Sequence, residues 1–427
     1  MWKRPPVFQP MSVRAPKWSQ QLTTVGITGT NGKTSTTRWI AACLGEVVRP
    51  VAQVTTLGSF LDDMPFEAAP DFGGFLATMR AAIDRGGRFA AIELTSEALA
   101  RGFAREWPCG IGVFTNLTHD HLDAHGSPEH YLASKAQLFL SLRPGGAAVL
   151  NAADPASELI TEVIPSGVRI VRYAVPSRGE TLRSPDLWAT AVQPSWGGTR
   201  ITIDARGELA HAPKALTLQA IGDVYAENAL AALAAALVAG VPPEDAARAL
   251  ANAPVPPGRF QVLAHDRGPR VVIDYAHTPD ALARTLATAR SLCDGKLWVV
   301  FGAGGDRDKN KRQPMGAAAS CADHVMLTSD NPRSEAPERI AEQIRSGIGP
   351  HADVRIKLDR RAAIREAILD ALDGDVVVIA GKGHEVGQVV GARVLPFDDA
   401  VEARAALGGK DAVLARAEPS APSTDRG

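Results

Sequence analysis

The chain has 427 residues, long enough for two or three domains with cores of their own. Its 46 Lys+Arg nearly balance its 47 Asp+Glu, so no global field draws it to nucleic acid or to an anionic membrane, and phosphate binding must be local. Four scattered cysteines (Cys43, Cys109, Cys293 and Cys321) contain no C-x-x-C pair, which argues against a disulfide framework or zinc knuckle and fits a reducing cytoplasm.

Residues 1–22 are proline-rich and without period, and read as a short arm; they lack the apolar run of a signal peptide. At Thr23 the texture changes. TTVGIT is a β-rich run that leads into a Gly-rich turn and then an amphipathic helix, GTNGKTSTTRWIAACLG. Further strands are expected at 89–94, 111–117 and 147–152, with helical patterns between them, such as 128–142. Strands alternating with helices argue for a parallel α/β sheet. Residues 168–219 suggest an antiparallel patch, and a long helix is expected over 225–239. The Ala-rich run 229–241 is too short and too weakly apolar for a bilayer span, so no membrane association is expected.

APVPPGRF (253–260) reads as an interdomain hinge. Beyond it apolar runs at 270–277, 296–305, 324–330 and 375–383 each end in polar residues or glycine, the pattern of parallel strands that carry a site at their C-terminal ends. The expected architecture is α/β: an arm (1–22), a central P-loop ATPase domain with a mainly parallel sheet (23–252), a C-terminal Rossmann-like α/β domain (253–408) and a disordered tail (409–427).

Gly29-Thr30-Asn31-Gly32-Lys33-Thr34-Ser35 carries the strongest chemical signal. Glycines let backbone N–H groups approach phosphate, Lys33 supplies a cation for the β/γ oxygens, and Thr34 offers a hydroxyl to Mg²⁺. Ile27 stands where the general P-loop has its first glycine. The stretch 115–126, TNLTHDHLDAHG, follows an expected strand. Its three histidines and two aspartates read as a metal site for Mg²⁺ or zinc, or as a solvated loop with capping aspartates. Glu93 at a strand end is a candidate Mg²⁺ ligand or a solvated carboxylate, and Lys135, on a helix with many apolar neighbours, is a further site candidate or a surface lysine.

Together with GRF (258–260), DYAHTPDAL (274–282), GAGGDRDKNKR (302–312), DNPR (330–333) and GKGHE (381–385), these motifs resemble the Mur ligase family, its MurE type most of all, from about Val25 to Leu407. The resemblance implies ATP and Mg²⁺ as cofactors. Gly29 to Ser35 and Asn116 would hold the triphosphate, with Thr34, Glu93, His121 and a carbamylated Lys135 around the metal. Lys33, Glu93, His121 and Lys135 would be catalytic, Asn228 would lie near the adenine, and Arg259, Asp274 and His277 would contact the nucleotide. The chemistry implied is phosphorylation of a carboxylate, attack of an amine on the acyl phosphate, and release of ADP and phosphate. Arg312, Asp330, Asn331, Arg333, Gly381 and Glu385 would bind the amine, expected to be meso-diaminopimelate.

The sequence also departs from that pattern. Only some two dozen residues precede the phosphate loop, so the family's N-terminal UDP-binding domain is expected to be absent. Ala68-Ala69-Pro70, Thr95-Ser96-Glu97, Arg101 and Phe103 replace residues of the muramoyl-peptide segment. The expected acceptor is therefore a peptide or muropeptide carboxylate not linked to UDP, or one gripped by a partner chain. The alternatives are a UDP-muramoyl-dipeptide ligase working without its first domain, a P-loop kinase, and a non-catalytic binding subunit.

Overall fold

The computed structural model describes residues 14–118, 127–176, 179–263 and 268–417. The chain divides into two compact units, Met1–Pro254 and Val255–Gly427. The strands of the first unit, in chain order, are β1 (Thr23–Thr28), β2 (Ala52–Thr55), β3 (Gly58–Leu61), β4 (Met64–Pro65), β5 (Phe89–Glu93), β6 (Ile111–Phe114), β7 (Ala147–Asn151), β8 (Arg169–Ala174), β9 (Leu187–Ser195), β10 (Gly198–Ala205) and β11 (Ala215–Leu218). They form one sheet in the order β11-β10-β9-β8-β7-β6-β1-β5-β2-β3-β4. Its centre is parallel, and antiparallel strands finish both edges. The stretch 168–219 is thus a continuation of the main sheet, since β9 pairs in parallel with β8.

β1 is almost wholly buried and lies between β5 and β6, strands reached later in the chain and placed on opposite sides of it. That is a topological switch point, where a crevice opens beyond the C-terminal ends of parallel strands. Gly26 lets a helix come close to this strand. A Cβ there would meet Cys109 Sγ and Leu138 Cδ1 at 2.9 Å. The helix Pro128–Leu140, capped by Ser127 with Pro128 in its first turn, is the one that fills this space. The Ala-rich run becomes the helix Asp223–Val238, apolar around its whole circumference and buried beside the helix Lys33–Gly45.

The second unit holds β12 (Gln261–Leu263), β13 (Arg270–Asp274), β14 (Leu297–Phe301), β15 (His324–Leu327), β16 (Asp353–Ile356) and β17 (Val376–Ala380) in the order β12-β13-β17-β14-β15-β16. All pairs are parallel except β12–β13, as the apolar runs required. A separate hairpin, β18 (Gly387–Val390) and β19 (Arg393–Pro396), follows β17. The sequence pattern gave no sign of this hairpin.

Buried Arg360 opens the helix Arg360–Asp370 and forks onto Asp399, Nε to Oδ1 and Nη2 to Oδ2 at 2.7 Å each. Its nitrogens also donate to the carbonyls of Ala380 (2.9 Å) and Ser329 (3.4 Å), tying together the ends of β17 and β15. The last helix, Asp399–Ala417, runs past the expected boundary at 408 into the segment read as a tail. Its alanines favour helix, and Lys410 Nζ anchors it on the carbonyls of Ile368 and Leu369 at 2.9 Å each. Among the described residues no helix is long and apolar enough to cross a membrane.

Candidate functional site

The phosphate loop leaves β1 and enters the helix Lys33–Gly45 through two glycines at positive φ, Gly29 (154°) and Gly32 (81°). Side chains come too near for anything larger. A Cβ on Gly29 would lie 1.8 Å from Thr115 Oγ1, and one on Gly32 would lie 2.1 Å from Asn228 Oδ1. Residues 115–118, just after β6, stitch the loop in place. Asn116 Oδ1 accepts the Asn31 N–H (2.9 Å), the Asn116 carbonyl accepts the Thr30 N–H (2.8 Å), and Thr115 Oγ1 donates to the Asn31 carbonyl (2.7 Å). Asn151, Asp154 and Tyr173 hold that segment from behind. Burial pushes the Asp154 carboxyl upward, against the N–H groups of Leu117 and Ala156, which favour its ionised form.

Lys33 Nζ donates to the carbonyls of Thr30 (2.8 Å) and Gly29 (3.1 Å). Lys135 Nζ, nearly fully buried and 4.2 Å from the Tyr131 ring centroid, donates to the same Gly29 carbonyl at 2.7 Å. Two ammonium groups therefore converge on one oxygen at the mouth of the loop. Thr34 Oγ1 donates to Glu93 Oε2 at 2.9 Å, and the backbone N–H of Thr56, on the turn after β2, donates to the same oxygen at 3.2 Å. Glu93 is buried at the end of β5, and Ser35 is buried in the helix's first turn. Thr34, Glu93 and Thr56 form an all-oxygen donor set, which suits a hard cation such as magnesium better than zinc. His121 lies outside the described residues. Asn228, expected near the adenine, stands against Gly32 of the loop itself.

Gly32→Ala is expected to weaken binding of a non-hydrolysable ATP analogue by at least about tenfold, since a Cβ both strains the backbone and displaces Asn228. Titration calorimetry reads the change, and unchanged affinity would mean that the loop does not carry the triphosphate.

In the second unit the loops after β13, β14, β15 and β17 gather at one sheet edge. Gly258 (φ 67°) packs on the backbone of Gly383 and His384, where a Cβ would lie 2.2 Å away. Arg259 lies 4.4 Å from the Tyr275 ring centroid, and among the described residues its guanidinium has no hydrogen-bond acceptor. His277 Nδ1 is 2.9 Å from the Tyr275 carbonyl, and the His384 ring is 5.2 Å from that of Tyr275. Burial and the nearby Arg259 both lower the affinity of His384 for a proton.

Two of the expected contact residues are already engaged by the protein itself. Asp274 faces the protein: its carboxylate accepts from Phe260 N (2.6 Å), Ala276 N (2.8 Å) and Thr285 Oγ1 (3.1 Å), and burial pushes it upward. It shapes the GRF turn, in which Phe260 has φ 43°. Arg312 is fully buried, and its terminal nitrogens go to Glu335 (2.9 and 3.0 Å), Gln343 (2.6 Å) and the Gly304 carbonyl (3.1 Å). That pairing holds Glu335 down to about 2 and engages both terminal nitrogens, while the buried Nε makes no hydrogen bond among the described residues.

Arg307, which sequence reasoning passed over, is differently placed. It is exposed and has no hydrogen bond or ion pair among the described residues. A Cβ on Gly304 would lie 2.9 Å from Arg333 Nη1 and 3.7 Å from Arg307 Cγ, so both side chains lie over one glycine. Arg333 (φ 51°) donates from Nη1 to the Gly305 carbonyl at 2.7 Å, and among the described residues its other guanidinium nitrogens make no hydrogen bond. Asp330 Oδ2 would lie 2.7 Å from a Cβ on Gly381, and its nearly buried carboxylate makes no hydrogen bond among the described residues. Asn331, Lys382 and Glu385 form a closed triangle beside it.

Residues 27–236 match the family described as "Mur ligase middle domain", and residues 258–383 the family described as "Mur ligase, glutamate ligase domain". The chain is 41% identical over 404 residues to the UDP-N-acetylmuramoyl-L-alanyl-D-glutamate--2,6-diaminopimelate ligase of Thermosynechococcus vestitus, covering 91% of this chain and 77% of that one. A solved ligase of the same name superposes with TM-score 0.65 at 34% identity, covering 91% of this chain and 79% of the other. The Mycobacterium tuberculosis folylpolyglutamate synthase, solved with ADP and AMPPCP, shares the fold at TM-score 0.66 and 20% identity, covering 85% of this chain and 89% of that one.

Proposed function

The chain belongs to the Mur ligase family of ATP-dependent ligases, and on that premise we propose that it joins a peptidyl carboxylate to meso-diaminopimelate, or an amino acid of the same charge pattern, through an acyl phosphate. The observation that carries this reading is the loop mouth: Glu93 accepts the Thr34 hydroxyl while Lys33 and Lys135 converge on the Gly29 carbonyl. A bare phosphate cradle needs the first lysine only. The second lysine and the strand-end carboxylate suit a reaction in which two anions, a triphosphate and a carboxylate, must be brought together.

Gly29 to Ser35 and Asn116 are proposed to hold the triphosphate, with N–H groups and Lys33 meeting the phosphoryl oxygens. Thr34 and Glu93, with His121 on the strength of the resemblance, are proposed to hold magnesium, which when bound offsets the charge on the phosphoryl oxygens. The acceptor carboxylate attacks the γ-phosphorus in line, and ADP leaves. Carbamylation of Lys135 would replace a like-charge pair at Gly29 with an ammonium and an anion, which supports that modification. The amine then attacks the acyl carbon, losing a proton as phosphate departs. Asn228 is proposed to brace the loop at Gly32, and Arg259, with His277 near it, to meet a phosphate.

A diamino diacid needs cations for its distal carboxylate and anions for its ammonium. Arg307 and Arg333 over Gly304 support the first role, and Asp330, Asn331 and Glu385 at Gly381 the second. Arg333→Ala and Arg307→Ala are each expected to raise KM for the amine by about 10–100-fold with KM for ATP unchanged. Steady-state ADP release at varied amine concentration reads the split.

The relatives' name supports a D-glutamyl carboxylate as the acceptor. Phe103 and Thr95 support an acceptor not gripped through UDP at this segment. Phe103 packs its ring 5.1 Å from that of Phe75, and Thr95 Oγ1 caps the helix Ser96–Ala100. Relatives at 41% identity favour the UDP-linked acceptor as the second reading. Phosphate release with UDP-muramoyl-dipeptide, against the same peptide without UDP, separates the two. Turnover confined to the UDP form favours the second reading. We assign the activity to the cytoplasm, where ATP is supplied.

A further inference from the structure

Lys382 has no role in the mechanism above, yet it is an ammonium group with no solvent exposure. A lysine in a loop ordinarily carries its charge to water, because burying an unpaired ammonium is costly. Here the backbone turns the side chain inward. Gly381 (φ 112°) and Gly383 (φ 55°) flank it, and Cβ atoms on them would lie 2.7 Å from Asp330 Oδ2 and from Tyr275 Cβ, respectively. The fold thus directs a cation into the loop cluster that carries Asp330, Asn331 and Glu385.

We propose that Lys382 is a positioning residue of the amine site: it fixes Glu385 so that one carboxylate oxygen is kept free for the ammonium group of the incoming amino acid. This inference rests on the amine site proposed above. Lys382 Nζ donates to Glu385 Oε2 at 2.9 Å and to Asn331 Oδ1 at 3.1 Å. Asn331 Nδ2 donates to the same Oε2 at 3.0 Å. The Asn331 amide cannot flip, because its Oδ1 also accepts the N–H of Val389 at 2.9 Å. Both donors meet Oε2, and among the described residues Oε1 accepts none. Glu385 is one-third exposed, so its side chain is within reach of a ligand.

Charge works in the same direction. Lys382, His277, His384 and Arg360 surround Glu385, and Asp330 lies across Gly381. Arg360 is already forked onto Asp399, so Lys382 is the close cation that Glu385 keeps. Burial works to raise the Glu385 carboxyl, and Lys382, Asn331 and His277 outweigh it and hold it below the ordinary value. Without Lys382 the carboxyl rises, the amine site loses its anion at a higher pH, and Oε2 is released to rotate.

The test compares wild type, K382M, E385Q and the double variant K382M/E385Q, using amine titration by calorimetry and steady-state ADP release. K382M is expected to bind meso-diaminopimelate about 10–100-fold more weakly, with the KM values for ATP and acceptor unchanged. The acid limb of kcat/KM for the amine should move to higher pH. In the double variant, K382M should add little to the loss caused by E385Q, because it acts through that carboxylate. Unchanged amine affinity in K382M, or losses that multiply in the double variant, would overturn the role. Thermal melting of K382M within a few degrees of wild type separates a site effect from a folding defect. Wild type that binds the amine without turnover would overturn the ligase reading alone, and the calorimetric comparison would still decide on Lys382.

Discussion

Lys33→Met is expected to lower ADP formation by about a thousandfold or more while leaving the melting temperature unchanged. Lys33 is partly exposed, and its ammonium rests 2.8 Å from the Thr30 carbonyl and 3.1 Å from that of Gly29, so it stands over the loop without holding up a core. Its charge matters when negative charge grows on the phosphoryl oxygens, where a preorganised cation cannot be replaced by water. Methionine keeps the length and loses the charge. The effect should fall mainly on kcat, with a smaller loss of ATP affinity, since the N–H groups of the loop still meet the phosphates. Retention of more than about a tenth of the activity would remove Lys33 from the chemistry.

Asp399→Asn is expected to destabilise the second unit by about 3–5 kcal/mol, the usual cost of leaving one partner of a buried ion pair uncompensated. Arg360 and Asp399 are both fully inaccessible, and the amide cannot match the fork of two 2.7 Å contacts. The chain holds two compact units, so the loss should show as a shift of one transition, best followed by hydrogen exchange of β13, β14 and β17. Arg360 also holds the carbonyls of Ala380 and Ser329, which directly precede Gly381 and Asp330. Amine binding should therefore weaken in the same variant. Replacing both partners, Arg360→Met with Asp399→Leu, should recover much of the stability, because no charge is then left buried alone.

The phosphate loop was legible because its chemistry is contiguous: a β-branched strand, two glycines, a lysine and a hydroxyl precede an amphipathic helix within a short run. The parallel sheets were legible for a similar reason, since runs such as Val376–Ala380 are apolar on both faces. What the sequence hid is what depends on distant contacts. Thr56 meets Glu93 only because β2 pairs with β5. Arg307 and Arg312 belong to one motif and carry the same charge, and only burial separates the exposed arginine from the one locked onto Glu335. Asp274 reads as a strand-end carboxylate, and only the folded chain brings the N–H of Phe260 onto it. Lys382 reads as a solvent-facing loop lysine until the left-handed turns at Gly381 and Gly383 direct it inward.

The most direct test of the central claim is to follow ADP and the new amide together by mass spectrometry, with ATP, Mg²⁺, meso-diaminopimelate and a D-glutamyl peptide acceptor supplied both with and without UDP. The account predicts sustained ADP release matched one-for-one by amide with at least one acceptor form, falling to background when either the amine or the carboxylate is withheld. Sustained ADP release without amine, or phosphate found on a hydroxyl, would contradict it.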